Sequence, residues 1–443
     1  TTPDEFANSF EKDRALMRRF ARLDIQETDI ESTKEIVRGL NDYYEEFHKV
    51  GYNADLLDKA VDLCAKYIKN KYFPDKALDV IDAAGATVKL RGDTTVKLQD
   101  IIDVVAKISN ISTDVIDVES TDGYKTLDSR IKTKVFGQDD AIDKIVEAIV
   151  LSKSGLREKN KPIGTFLFVG PTGTGKTETA RALSSELDCK LIKFDMSEYM
   201  ERHSVSKLIG APPGYVGHAE GKMGQGQLLA EVEDNPNSVV LLDEVEKAAP
   251  EVLQVLLQVM DDGKLTGATG KVVDFSNVVL LMTSNLGAAD AETLKIGFGD
   301  QTKTKAVAKA VEKFFTPEFR NRIDATVQFN KLTPELMVKI VQRLVKETNE
   351  LLQENESGVT LVIEELAQKQ LADDGYEPTM GARPLKRLFE EKIKKPLSKK
   401  ILFEELPKEG TLEVKYDEDK GFYFLWRGIQ EVILQINLQT AKY

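Results

Sequence analysis

Residues 166–179 read FLFVGPTGTGKTET, an apolar run that breaks into a glycine-rich turn and closes on a lysine and a threonine. The stretch satisfies G-x-x-x-x-G-K-[ST] over Gly170, Pro171, Thr172, Gly173, Thr174, Gly175, Lys176 and Thr177, with Glu178 next. Such a loop lets the backbone curl until its N–H groups point at phosphate oxygens; Lys176 then neutralises β/γ charge and the Thr177 hydroxyl suits magnesium. A chance glycine-rich turn is the competing reading. The context argues against it, because the mechanism requires a strand before the loop and a helix after it, and the pattern supplies both.

Outward from this loop, short apolar runs alternate with helical stretches: TFLFVG, KLIKFD, SVVLLDEV, NVVLLMTSN and ATVQFNKL. Runs of four to six Val, Ile, Leu and Phe residues separated by helices predict a parallel sheet buried on both faces. The reading is an α/β domain over 131–332. Upstream, SFEKDRALMRRFARL, TKEIVRGLNDYYEEFHKV, ADLLDKAVDLCAKYIKN and PDKALDVIDAAGATVKL have helical spacing and predict an all-helical small domain over 1–90, with Pro74 as a helix-start signal. Residues 91–130 read as a connector with one short helix near Ile101–Ile108. Residues 333–443 alternate helices (334–353, 364–374 and 382–404) with the strand-like VTLVI, TLEVKY and FYFLW, predicting a small α+β domain.

Composition bounds the function. The 443 residues have 41% hydrophobic and 30% charged side chains, as globular domains do, and a net charge of -13 from 61 Lys+Arg against 74 Asp+Glu. So acidic a chain is poorly suited to nucleic acid. No apolar run is long enough to span a membrane, and the start TTPDEFANSFEKDRA does not read as a secretory signal. Two cysteines and three scattered histidines fit neither a disulfide framework nor a structural zinc site, so the cytoplasm is the expected location.

SVVLLDEVEKA (238–248) ends an apolar strand in two carboxylates. Asp243 can enter a magnesium shell and Glu244 can polarise an attacking water; alternatively, both simply suit the positive end of a helix. NVVLLMTSN closes on Asn285, where a polar amide at a strand's carboxyl end could orient that water, although Asn also commonly ends strands at turns. TPEFRNRID (316–324) presents Arg320 and Arg322, and GYEPTMGARPLKR (375–387) presents Arg383. Surface ion pairs would explain them; so would charge compensation at a transferring phosphoryl group.

In this order, the P-loop, LLDE, TSN, FRNRID and MGARPLKR resemble the Clp class of AAA+ ATPases. FDMSEYMERHSVSKLIGAPPGYVG (194–217) is specific to the second ATPase module of that class, and FEKDRALMRRF with FPDKALDVIDAAGA resembles the end of the first. The first module's own P-loop is missing, so the chain is expected to belong to something larger. The resemblance implies ATP or ADP with Mg2+ at Lys176, Thr177 and Asp243, with Asp243 and Glu244 as Walker B. It also implies Asn285 as sensor one, Arg322 as a finger acting on the neighbouring subunit, Arg383 as sensor two, and Val135 and Phe136 against adenine. Arg18 and Arg19 match the first module's paired fingers. Tyr215, with Val216, matches the pore-loop aromatic that grips polypeptide, although HAEGKMGQGQLLAEV after it is longer than the family pattern. By itself Tyr215 reads as a tyrosine packed in a turn.

Within the class, the disaggregases carry a long coiled-coil insertion after the first small domain. The residues between Leu90 and Arg130 show no sustained heptads. The chain therefore resembles the ClpA-type unfoldases, which work as homohexamers capping a ClpP-type peptidase through an Ile-Gly-Leu or Ile-Gly-Phe tripeptide. Ile296, Gly297 and Phe298 in AETLKIGFGDQT match it. A loop folding back on the core is the plainer account of two apolar side chains there. The resemblance thus implies an ATP-driven unfoldase that threads unfolded polypeptide through a pore into a peptidase. A peptidase-independent remodelling chaperone is the alternative.

Overall fold

The computed structural model describes residues 19, 23, 25–68, 71–109, 113, 122–158, 160–210, 226–268, 270–287, 300–355, 358–377, 380–403, 410–419 and 421–427. The chain divides into two compact units, Thr1–Thr113 and Asp114–Tyr443.

Among the described residues of the first unit, the helical spacing of the sequence becomes five helices: α1 (Ile30–Gly39), α2 (Asn41–His48), α3 (Ala54–Tyr67), α4 (Asp75–Arg91) and α5 (Leu98–Ser109); SFEKDRALMRRFARL lies outside the described residues except for Arg19 and Leu23. TKEIVRGLNDYYEEFHKV reads as one helix but folds as two, broken where Leu40 leaves helical geometry at ψ 0°. Asp29 caps α1 by accepting the Ser32 N–H at 2.8 Å. Ala60, Val61 and Cys64 of α3 and Val80, Ile81 and Ala84 of α4 are fully buried. Gly85 is required there, since a Cβ would stand 1.9 Å from the Tyr52 hydroxyl, which donates to the Ile81 carbonyl at 3.0 Å. Helix α5, inside the stretch read as a connector, packs on α3 and α4.

In the second unit the five apolar runs become β1 (Gly164–Val169), β2 (Lys190–Asp195), β3 (Ser238–Asp243), β6 (Val278–Ser284) and β7 (Ala325–Gln328). They form one sheet in the order β2-β3-β6-β1-β7, every neighbouring pair parallel. Side chains alternate across it. Leu167, Val169, Val240, Leu242 and Met282 pack in a core on one face, and Phe166, Phe168, Val239, Leu241 and Leu281 in a core on the other. Both faces are apolar because helices cover both, which explains the continuous runs. These include α6 (Leu127–Lys134), α7 (Asp139–Lys153), α8 (Lys176–Glu186), α9 (Gln227–Asp234) and α10 (Pro250–Asp262). A hairpin of β4 (Lys264–Thr266) and β5 (Val272–Asp274) follows α10.

Helices α11 (Asp300–Phe314) and α12 (Pro317–Asn321) precede β7. The chain then continues through α13 (Pro334–Glu354), β8 (Val359–Ile363), α14 (Glu365–Asp374), α15 (Arg383–Phe389), α16 (Lys395–Leu402), β9 (Gly410–Asp417) and β10 (Gly421–Arg427). Strands β8 and β9 pair in parallel, and β9 and β10 antiparallel, over a core that includes Leu361, Phe389, Val414 and Phe424. The helix read over 382–404 is interrupted by a π turn at Glu390–Lys394. Pro396, with no N–H to donate four residues back, makes that turn a local accommodation.

Candidate active site

The carboxyl ends of β1, β3 and β6 converge where a parallel sheet presents its crevice. Gly170, Gly173 and Gly175 adopt positive φ of 152°, 75° and 106°, which lets the loop after β1 turn and release α8 at Lys176. At Gly170 a Cβ would meet the Phe329 carbonyl at 2.6 Å, so the loop lies directly on the exit from β7.

Lys176 is 8% exposed and returns over its own loop. Its Nζ donates to the Gly170 carbonyl, to Pro171 O and Ser284 O at 3.2 Å each, and to Asn285 Oδ1 at 2.7 Å. Burial lowers its pKa to about 8, opposed by the carboxylates of Glu246, Asp243 and Glu244.

At the end of β3, Asp243 and Glu244 are organised by Thr283, a fully buried hydroxyl on β6. Thr283 Oγ1 donates to Asp243 Oδ1 and accepts the Glu244 N–H at 3.0 Å. Glu244 takes φ 58°, the left-handed region that a non-glycine residue occupies only when its surroundings impose it. Lys193 of β2 lies 2.6 Å from Asp243 Oδ2, and Lys247 pairs with Glu244. Asn285 spans the two strand ends: its Nδ2 is 3.5 Å from Glu244 Oε1, and its backbone N–H donates to Glu246 Oε1 at 3.0 Å.

Lys176, Lys193, Asp243, Glu244, Thr283 and Asn285 border a cavity of about 600 Å³ lined also by Val135, Phe136, Thr177 and Arg383. Glu178 lines it too, with its carboxylate engaged by Arg343 and by Arg181 at 2.9 Å. Arg383 stands at the first position of α15, and the loop before it presses on the P-loop. The Ala382 N–H donates to Gly173 O at 3.1 Å, and a Cβ on Gly381 would lie 2.5 Å from that same oxygen. Gln138, 2% exposed, ties the Thr174 carbonyl (3.1 Å) to Asn330, from which it also accepts an N–H (3.0 Å).

Arg320 and Arg322 are not among the lining residues. Arg322 is held within the chain by Asp261, the Glu318 carbonyl at 3.0 Å and the Glu318 carboxylate at 3.5 Å; Arg320 lies 3.6 Å from Glu312. Arg19 is exposed in the first unit. Arg18, Tyr215, Val216, Ile296, Gly297 and Phe298 lie outside the described residues.

The donor set suits a magnesium nucleotide. The Thr177 hydroxyl and the Asp243 carboxylate are hard oxygen donors in one cavity, and magnesium commonly takes only one or two protein ligands beside phosphate and water. Among the described residues no cluster of three or more His, Cys, Asp or Glu side chains forms an all-protein metal cage. No helix among them is long and apolar enough to cross a membrane. Sequence reasoning missed Gln138, Lys193, Glu246, Thr283 and Arg343.

Three family models match: an AAA domain (Cdc48 subfamily) over 161–326, an AAA lid domain over 29–133, and the C-terminal D2-small domain of ClpB protein over 332–414. The chain is 46% identical to a ClpA homolog protein from Fuscovulum blasticum over 95% of its own length and 53% of that protein's. It is 35% identical to an ATP-dependent Clp protease ATP-binding subunit ClpC from Staphylococcus epidermidis, covering 91% of this chain and 57% of the other. It therefore spans about half the length of these curated relatives. The solved Hsp104–ADP complex of S. cerevisiae superposes with a TM-score of 0.81 at 36% identity, over 95% of this chain and 73% of that one. With a five-stranded parallel sheet, a P-loop at its carboxyl edge, a helical lid and a C-terminal small domain, the chain belongs to the Clp/Hsp100 family of AAA+ ATPases.

Proposed function

We propose that this protein is an ATP-driven unfoldase and polypeptide translocase, acting as a cytoplasmic hexamer that delivers substrates to a ClpP-type peptidase. The carrying observation is the chain of contacts Lys176–Asn285–Glu244, at 2.7 Å and 3.5 Å. It joins a lysine ammonium, an amide and a carboxylate that all line one cavity. In this reading Lys176 neutralises the β/γ-phosphates, Glu244 accepts a proton from the attacking water, and Asn285 orients that water. Thr177 and Asp243 would hold Mg2+, which when bound supplies Lewis-acid charge neutralisation. Val135 and Phe136 would flank the base. Arg383 would sense the terminal phosphate from the C-terminal subdomain, and Arg322 would reach the site of an adjacent subunit.

Tyr215 and Val216 are assigned to the pore, and Ile296-Gly297-Phe298 to peptidase docking, on sequence resemblance. The similarity to a protein named as a Clp protease ATP-binding subunit supports the peptidase partnership; 35% identity to a protein named as a chaperone, ClpB of Oceanobacillus iheyensis, supports the second reading, a remodelling chaperone that works without a peptidase.

Glu244→Gln should retain ATP binding and lose on the order of 10²-fold or more in hydrolysis. Near-normal turnover in that variant would refute the catalytic assignment. Changing Ile296 and Phe298 to serine should leave ATPase activity intact and end degradation in the presence of a ClpP-type peptidase. Degradation that persisted would remove the docking assignment, and wild-type protein that remodels substrate but never binds the peptidase would select the second reading.

A further inference from the structure

Arg343 belongs to α13, in the C-terminal part of the second unit, yet its guanidinium reaches back to the wall of the nucleotide cavity. Nη2 donates to Glu178 Oε1, Nη1 donates to the Lys134 carbonyl, and Nε donates to Glu347 Oε1 at 2.7 Å. Each partner has a distinct place. Glu178 directly follows Thr177 in the first turn of α8. Lys134 directly precedes Val135 and Phe136, which line the cavity. Glu347 is one turn along α13 and orients the guanidinium from its own helix.

The side chain is 21% exposed and itself lines the cavity, so this pair is better shielded than a surface ion pair. A planar fork can serve three acceptors in three directions, which a lysine ammonium on a flexible stem does not reproduce. The Ala382–Gly173 backbone contact joins the same two parts on the P-loop side. Nucleotide bound in the cavity would lie between these two joints.

Resting on the ATP-site reading above, we propose that Arg343 is a positioning residue: it fastens the Lys134–Phe136 wall and the turn after the P-loop to the C-terminal subdomain, so that ATP affinity and subdomain placement are coupled. It takes no part in the chemical step. Its loss therefore weakens nucleotide binding and spares turnover at saturation, a split that a residue serving only stability would not produce.

The test uses the full chain with R343M, E178Q, the double variant and R343K, reading affinity for a fluorescent ATP analogue, ATPase KM and kcat, and the nucleotide-induced rise in Tm. R343M should weaken affinity and raise KM about tenfold, with kcat within about twofold of wild type and a smaller nucleotide-induced Tm rise. R343K should fall between. The double variant should lose less than the product of the two single losses, because both changes remove the Arg343–Glu178 pair. Wild-type-like affinity in R343M, a fall in kcat at unchanged KM, or a double variant whose losses multiply would each overturn the proposal. If R343M fails to fold, R343K carries the test, since it keeps the charge and loses the fork; wild-type affinity there overturns the proposal equally. Wild-type protein that fails to bind the analogue sinks the ATP-site reading and this one with it, whereas normal wild-type binding with an indifferent R343M sinks this one alone.

Discussion

Lys176 Nζ lies 2.7 Å from Oδ1 of Asn285, so a cation at the start of α8 and an amide just after β6 fix one another at the carboxyl edge of the sheet. Asn285 in turn faces Glu244 through its amide nitrogen. Asn285→Ala removes both contacts and leaves the glycine loop unchanged. We expect kcat for ATP hydrolysis to fall about 10²-fold while KM stays within about threefold. Steady-state kinetics decide it: a large KM change with normal kcat would make Asn285 a binding residue instead.

The buried Lys176 ammonium imposes two opposite pH slopes. Burial holds its pKa near 8, below the usual 10.5. Between those values Lys176 is protonated in the unfolded chain and neutral in the folded one, so the contribution of this residue to stability in the absence of nucleotide should rise with pH across that window, measured as the difference between wild type and Lys176→Met; below about 8 the burial cost is fully present. Nucleotide affinity should move the other way, weakening above about 8 by at most tenfold per pH unit as the ammonium loses its proton. Phosphate's own second pKa, near 6, does not interfere. Titrating a fluorescent ATP analogue at successive pH values checks this, and an affinity flat from pH 7 to pH 10, on the order of three units wide, would contradict it.

How much of this was legible in the residues follows from how local each signal is. Strands β1, β2, β3, β6 and β7 were readable because burial on both faces leaves continuous apolar runs, and the P-loop because its glycines and Lys176 are contiguous. Strands β4 and β5, three residues each, are too short to display a period. The role of Gln138 depends on Asn330, 192 positions away, and that of Arg343 on Lys134, 209 positions away; no spacing rule links such pairs before the sheet forms. Thr283 sits in a run of buried strand residues, and nothing in MTSN distinguishes a hydroxyl that bridges two carboxyl-bearing residues from one that merely fills space. The left-handed backbone of Glu244 is likewise imposed by what surrounds it.

Gly381 offers a test of the joint between P-loop and C-terminal subdomain. It has φ 60°, and an added Cβ would stand 2.5 Å from the Gly173 carbonyl, an atom fixed by backbone geometry. Gly381→Ala should therefore separate the two loops, and the left-handed backbone adds about 1 kcal/mol of strain. Nucleotide affinity should drop along with a modest loss in Tm. Retained affinity with lowered Tm would show that the contact supports the fold without serving the cavity.

Arg322 gives the sharpest test of assembly. Within its own chain it is held by Asp261 and Glu318 and is absent from the lining of its own cavity, as a residue serving a neighbour's site would be. Arg322→Ala should lower ATPase activity at least about 10³-fold while preserving nucleotide binding. Glu244→Gln should be comparably inactive by itself. Mixed assemblies of the two variants contain interfaces where an intact Glu244 from one subunit meets an intact Arg322 from the next, so activity should reappear on mixing. A residue acting in its own subunit's site gives no such complementation, because every subunit in the mixture remains defective. Mixing the separately purified variants and following phosphate release distinguishes the two, and silence in the mixture, with hexamers confirmed by light scattering, would remove Arg322 from the neighbouring site.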